Sequence, residues 1–177
     1  MSCTEIYVIG ENLCELVGET KNAWRGAMYV WNDIAKRYFG LDGFPTFVSV
    51  MQSRVWNAHN YHTLTRSERI VLASTMDRVT VKVSDIPQLL LAFNEYGTQH
   101  PNSSLTEQAA LIAAGSFQDG QYLAWNQTSV NEFHWANDWD DNNCPIYADI
   151  SDRWDLFEHL DTYHNPESAG IWLRSNL

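Results

Sequence analysis

The chain is poor in cysteine and in basic residues, and it has no long apolar run. Its three cysteines, Cys3, Cys14 and Cys144, are odd in number, and their spacings fit neither a CxxC pair nor a disulfide framework. Free thiols of this kind suit a reducing compartment. No basic start followed by an apolar run marks a secretory signal, and no stretch approaches the roughly 20 apolar residues of a membrane helix. A cytoplasmic location without membrane attachment is the expectation, and the triplets at Asn102 and Asn126 are then chance matches to a glycosylation site. The motifs GxGxxG, GxxxxGK[ST], GxSxG and HExxH are all missing. That removes the usual grounds for an enzyme or a bound cofactor.

The shortage of basic residues is more informative. Eleven Lys and Arg stand against 22 Asp and Glu, a net charge of −11. Contact with DNA or RNA phosphates needs the opposite sign, so direct nucleic-acid binding is not expected. The excess is also uneven. Residues 51–100 carry five basic and four acidic side chains, whereas residues 131–161 carry nine acids and only Arg153. An acidic segment of this kind steers a basic protein toward itself.

What the chain does have is aromatic mass: eight Trp, eight Tyr and seven Phe among 177 residues. A chain of this length buries a sizeable core without disulfides or a metal. The expected architecture is a single α+β domain spanning residues 1–177, a mixed, mainly antiparallel sheet with about four helices packed on it.

Residues 4–19 read as a hairpin turning at Gly10-Glu11-Asn12. From Trp24 to Tyr38 the apolar positions recur every three or four residues, with Asn22 placed to cap that helix and Gly40 to end it. Residues 47–51 read as a strand and 56–64 as irregular. Thr65 and Glu68 form a capping-box pattern for a helix through Met76. RVTVKV, 78–83, alternates as a strand. Ser84 is placed to cap a helix carrying Ile86, Leu89, Leu90 and Phe93, and Ser104 with Glu107 to cap 105–114. Strands are expected at 121–127, 145–150 and 171–174. A last helix follows Ser151 to about Tyr163.

Three readings compete for the acidic region. In the first, Trp135, Trp139, Asp140 and Asp141 anchor a basic protein, and Asp152, Asp155 and Glu158 steer it. Trp125, Phe133 and Glu132 belong to the same aromatic and acidic stretch. In size, acidity and lack of motifs the chain resembles the inhibitors and antidotes carried by phages and mobile elements, which block host nucleases or defence proteins. That resemblance implies a non-enzymatic inhibitor of a basic protein.

In the second reading, residues 138–149 form a calcium-type loop with ligands at Asp138, Asp140, Asn142 and Asp149 and a backbone carbonyl at Cys144. Asn143 replaces the glycine at the turn, Asp149 is shorter than the usual glutamate, and Pro145 lacks the N–H of a paired loop. In the third, Asp155 and His159, four residues apart on a helix, act as a hydrolase-like acid–base pair. That pair requires a deep cleft lined by both side chains. His59 with His62 makes a poor zinc pair, and a site using His134 with Asp138 and Asp140 is a further metal option.

Overall fold

The first hairpin sets the sheet. In the computed structural model, strand β1 (Cys3–Gly10) pairs antiparallel with β2 (Leu13–Lys21) across Glu11-Asn12, and Asn12 takes the left-handed φ of 58° that the turn requires. The structure describes residues 3–21, 23–40, 55, 63–127, 133, 135–136, 138–143, 145–147 and 150–162. The expected strands at 47–51 and 171–174, most of the irregular segment 56–64, and the cap Asn22 lie outside them.

On its other side β1 pairs antiparallel with β4 (Tyr122–Gln127). β4 in turn pairs antiparallel with β3 (Val79–Lys82), which takes β7 (Trp154–Asp155) as a parallel neighbour. The sheet order is β2-β1-β4-β3-β7. A separate two-stranded ribbon joins β5 (Asp138–Trp139) to β6 (Pro145–Tyr147). The fold is α+β with a mixed, mainly antiparallel sheet. No helix of the described residues is long and apolar enough to cross a membrane.

Side-chain alternation gives the sheet two different faces. The registers Ile6↔Trp125, Val8↔Leu123 and Val81↔Leu123 align one apolar face. Five helices share a core with it: α1 (Ala23–Phe39), α2 (Arg66–Ala73), α3 (Ile86–Gln99), α4 (Leu105–Ala114) and α5 (Leu156–Thr162). Trp31, Ile34, Leu72, Leu89, Phe93, Ile112, Leu156 and Leu160 are among the buried side chains of that core. The opposite face presents Tyr7, Ile9 and Ala124, with Cys14 beside them, and it is covered by Trp135 and Phe133.

Local signals fixed some helix ends and failed at others. Thr65 and Glu68 make both bonds of a capping box, and Gly40 ends α1 with a φ of 65°. α2 stops at Ala73, short of Met76. Ser84 lies inside a short 3-10 turn, Val83–Asp85, and caps nothing. Ser104 precedes α4 with a left-handed φ of 60° and makes no side-chain cap bond, because an N-cap hydroxyl reaches the N2 or N3 amide only from extended backbone.

The last helix is corrected as well. It begins at Leu156, after β7, and Asp155 rather than Ser151 caps it: Glu158 N–H donates to Asp155 Oδ1 at 2.9 Å.

Candidate functional site

The acidic region divides into two places with different chemistry. The first is the β5–β6 ribbon. Asp140 to Asn143 form its turn, closed by Asn143 N–H donating to Asp140 O at 2.9 Å. Asp140 Oδ1 also accepts from Asn142 N–H, and Asp138 Oδ1 accepts from Trp139 N–H. Asn143 adopts a left-handed φ of 63°, the conformation expected of it in the calcium-loop reading.

The flanks of the segment differ from that reading. Asp138 pairs with Tyr147 and Trp139 with Pro145, so the segment is a hairpin flanked by strands, whereas an EF-hand loop is flanked by helices. Among the described residues no three His, Cys, Asp or Glu side chains converge as metal ligands. Asp149 and Cys144, and His59, His62 and His134 with them, lie outside the described residues.

An aromatic chain ties this hairpin to the sheet. Tyr7 meets Phe133 edge to face at 5.1 Å, and Phe133 meets Trp139 at 5.1 Å. Trp139 stands at the outer end, 41% exposed. Leu16, 54% exposed, lies directly across from Tyr7 on edge strand β2, and Glu19 lies across from Glu5 on the same face. β6 runs close to β2. The result is a ridge from Leu16 to Trp139 bordered by exposed Glu19, Asp138, Asp140 and Asp141. Asp138, Asp141 and Glu19 make no ion pair with any described residue.

Trp135 is not part of that ridge. It is 1% exposed, and its indole N–H donates to Trp125 O at 2.8 Å. Its expected role as a surface anchor is therefore corrected: the indole is the main cover of the second sheet face.

The second place is the far end of the same sheet face, where β3, β4 and β7 meet α5. Here a cleft of about 520 Å³ is lined by Tyr122, Arg153, Trp154, Glu158 and His159. The three residues expected to steer a partner all sit at this end, and none is a free surface charge. Asp152 pairs with Arg78 at 2.7 Å. Glu158 pairs with Lys82, whose ammonium holds the carboxyl below its usual range and is itself raised by the same bond. Asp155 is 8% exposed, and its Oδ2 accepts the Lys82 N–H at 3.3 Å while Oδ1 caps α5. Asp152, Asp155 and Glu158, expected to steer a partner, are each held in one of these contacts.

Asp155 and His159 both line the cleft, as the hydrolase reading required. The electrostatics do not couple them. Burial lowers the His159 pKa, and the positive charge of Arg69 lowers it further. A carboxylate acting on the ring would raise it. Trp154 packs on the imidazole at 4.9 Å. Asp155 serves the backbone of β3 and α5.

A polar seam between α1, α2 and α3 gave no signal in the sequence beyond the i, i+4 pair Asp33–Arg37. Arg37 donates to both Asp33 and Glu68, Tyr96 donates to Asp33 Oδ2 at 2.6 Å, and Tyr38 donates to Glu68 Oε2 at 2.7 Å. Burial alone would raise both carboxyls, but these bonds bring each below its ordinary value. His100 Nε2 lies 3.8 Å from Asp33 Oδ2. The seam joins three helices through residues spread over positions 33 to 100.

Cys14 is buried against Trp135, and burial pushes its thiol up to about 12, so it holds no reactive thiolate at neutral pH. Comparison with known protein families, with curated proteins and with solved structures returns no match to this chain.

Proposed function

We propose that the chain is a protein-binding module that takes a basic protein partner on the Leu16–Trp139 ridge. One observation carries this reading. Trp139 is held out at the surface by its contact with Phe133, next to Asp138 and Asp141, which pair with no cation among the described residues. The contact with Phe133 covers only part of the indole and leaves 41% of Trp139 in water beside these carboxylates. An interface uses that combination: an aromatic anchor gains from desolvation, and surrounding charge selects the partner and speeds its approach.

The reading keeps Trp139, Asp140 and Asp141 from the sequence analysis and adds Asp138, Glu19 and Leu16. Acidity and size alone favour an inhibitor of a basic protein over other kinds of binding protein.

The test is a parallel capture. Wild-type protein, Trp139→Ala and the double variant Asp138→Lys/Asp141→Lys are immobilised and exposed to lysate of the source cell at low and high salt. The expected result is a basic protein retained by wild type at low salt, weakened by Trp139→Ala and abolished by the charge reversal. Identical retention by all three surfaces would refute the proposal.

A further inference from the structure

Among the described residues, Arg153 has no carboxylate within ion-pair distance. Its guanidinium lies over the Tyr122 ring at 4.2 Å, donates through Nη2 to Tyr122 Oη at 2.7 Å and through Nη1 to Ile150 O at 3.3 Å. All of these partners are neutral. Only the charge of Glu158 reaches Arg153, without an ion-pair contact, and Nε, shielded from solvent, has no acceptor among the described residues. A half-buried charge without a counter-charge is costly, and folded proteins normally pair it. The three nearby basic residues are all satisfied: Arg78 by Asp152, Lys82 by Glu158, and Arg69 by Leu160 O at 3.2 Å. Arg153 therefore differs from Arg78 and Lys82 in having no ion-paired carboxylate.

The surroundings suit a small molecule. Arg153, Lys82 and Trp154 all line the 520 Å³ cleft. That volume lies in the range of sites for small organic ligands, roughly 300–1,000 Å³. Tyr122 fixes the guanidinium plane, so the donors reach the cleft already oriented. A planar fork of this kind matches a carboxylate or phosphate better than an ammonium does.

The acidic residues of the cleft do not oppose such a ligand strongly. Each oxygen of Asp155 already accepts a backbone N–H. Glu158 is exposed and holds Lys82 through a surface ion pair, a contact that is easily exchanged.

We propose that this cleft binds a small organic oxyanion, with its carboxylate or phosphate on Arg153 and Lys82 and its body against Trp154. The site is separate from the Leu16–Trp139 ridge and does not depend on the reading of that ridge. Glu158 then acts as an internal competitor, occupying Lys82 until the ligand displaces it.

The full chain is titrated with inorganic phosphate, acetate and benzoate, with chloride as the ionic control, while the Arg153 Nε–H resonance is followed by NMR. A saturable shift with at least one oxyanion, and none with chloride, is expected. Tighter binding of benzoate than acetate supports the contact with Trp154, and equal binding overturns that part.

Arg153→Gln should weaken binding by about tenfold or more, the size of one lost charged hydrogen-bond pair. Glu158→Gln should tighten it, because Lys82 is released. A linear response to all anions, or saturation unchanged in both variants, overturns the proposal. If Arg153→Gln does not fold, Lys82→Gln in the cleft lining replaces it, with weaker binding expected, and the wild-type titration stands by itself.

Discussion

Two stretches of this chain carry three carboxylates each, residues 138–141 and residues 152–158, yet the fold treats them in opposite ways. In the first, Asp138 and Asp140 accept neighbouring backbone amides, Asp138 and Asp141 pair with no cation among the described residues, and all three side chains stay exposed. In the second, each carboxylate has a distant partner: Arg78 for Asp152, the Lys82 amide for Asp155, the Lys82 ammonium for Glu158. The difference comes from topology. Parallel pairing of β3 with β7 sets residues 78–82 beside residues 152–158, and the basic side chains of β3 come with it. Among the described residues, no such ion pair reaches Asp138 or Asp141 of the β5–β6 ribbon. A count of charge along the sequence therefore overstates the field at one place and describes it fairly at the other.

The largest test of that contrast is Asp155→Ala. The substitution removes the cap of α5 and leaves the Lys82 amide without its acceptor. A lost cap costs about 1 kcal/mol and an orphaned buried donor about 1–3 kcal/mol, so a loss of about 2–3 kcal/mol is expected in urea unfolding. Asp155→Asn, which keeps an acceptor oxygen, should lose less. A cost under about 0.5 kcal/mol for the alanine would mean that Asp155 is a surface carboxylate like those of the ribbon.

An acid titration separates α5 from the seam between α1, α2 and α3 by the pH range in which each loses stability. His159 has a lowered pKa in the folded state, so below its ordinary value of 6.5 the unfolded chain binds the proton more readily. Stability should begin to fall as the pH drops below that value, and His159→Gln should remove this upper part of the loss. Asp33 and Glu68 are depressed carboxyls. Their contribution is present above the unfolded carboxylate range and disappears as the pH falls through their folded values. Urea midpoints at pH 7.5, 5.5 and 3.5 for both proteins check the sequence of losses. A wild type as flat as the variant between pH 7.5 and 5.5 would remove His159 from the account.

Legibility in the sequence followed the range of the interaction. The α1 stripe and the Thr65–Glu68 box depend on residues three or four apart, and both were readable. The sheet face of β3 was readable from its alternation. Ser84 and Ser104 misled because a hydroxyl before an apolar run signals a cap only when its backbone is extended, and Ser104 is left-handed. Trp135 and Trp139 are only four residues apart and equally aromatic. One is core and the other surface because of how 133–139 crosses β1 and β4, which no local pattern encodes. The pairs Arg78–Asp152 and Lys82–Glu158 span more than 70 residues. That distance is why Asp152 and Glu158 read as a free acidic face.

The smallest expected effect is also the sharpest check on the ribbon. Asp141 makes no hydrogen bond or ion pair with any described residue. Asp141→Lys should therefore change stability by less than about 0.5 kcal/mol in urea, as for a surface position without partners. The direction should be slightly favourable, since the change relieves self-repulsion in a protein of net charge −11. The added salt that screens this repulsion should stabilise wild type more than the variant. A clear loss of stability would place Asp141 in an internal contact. The ribbon would then resemble the 152–158 segment, and its exposed tryptophan would lose the acidic border on which partner selection depends.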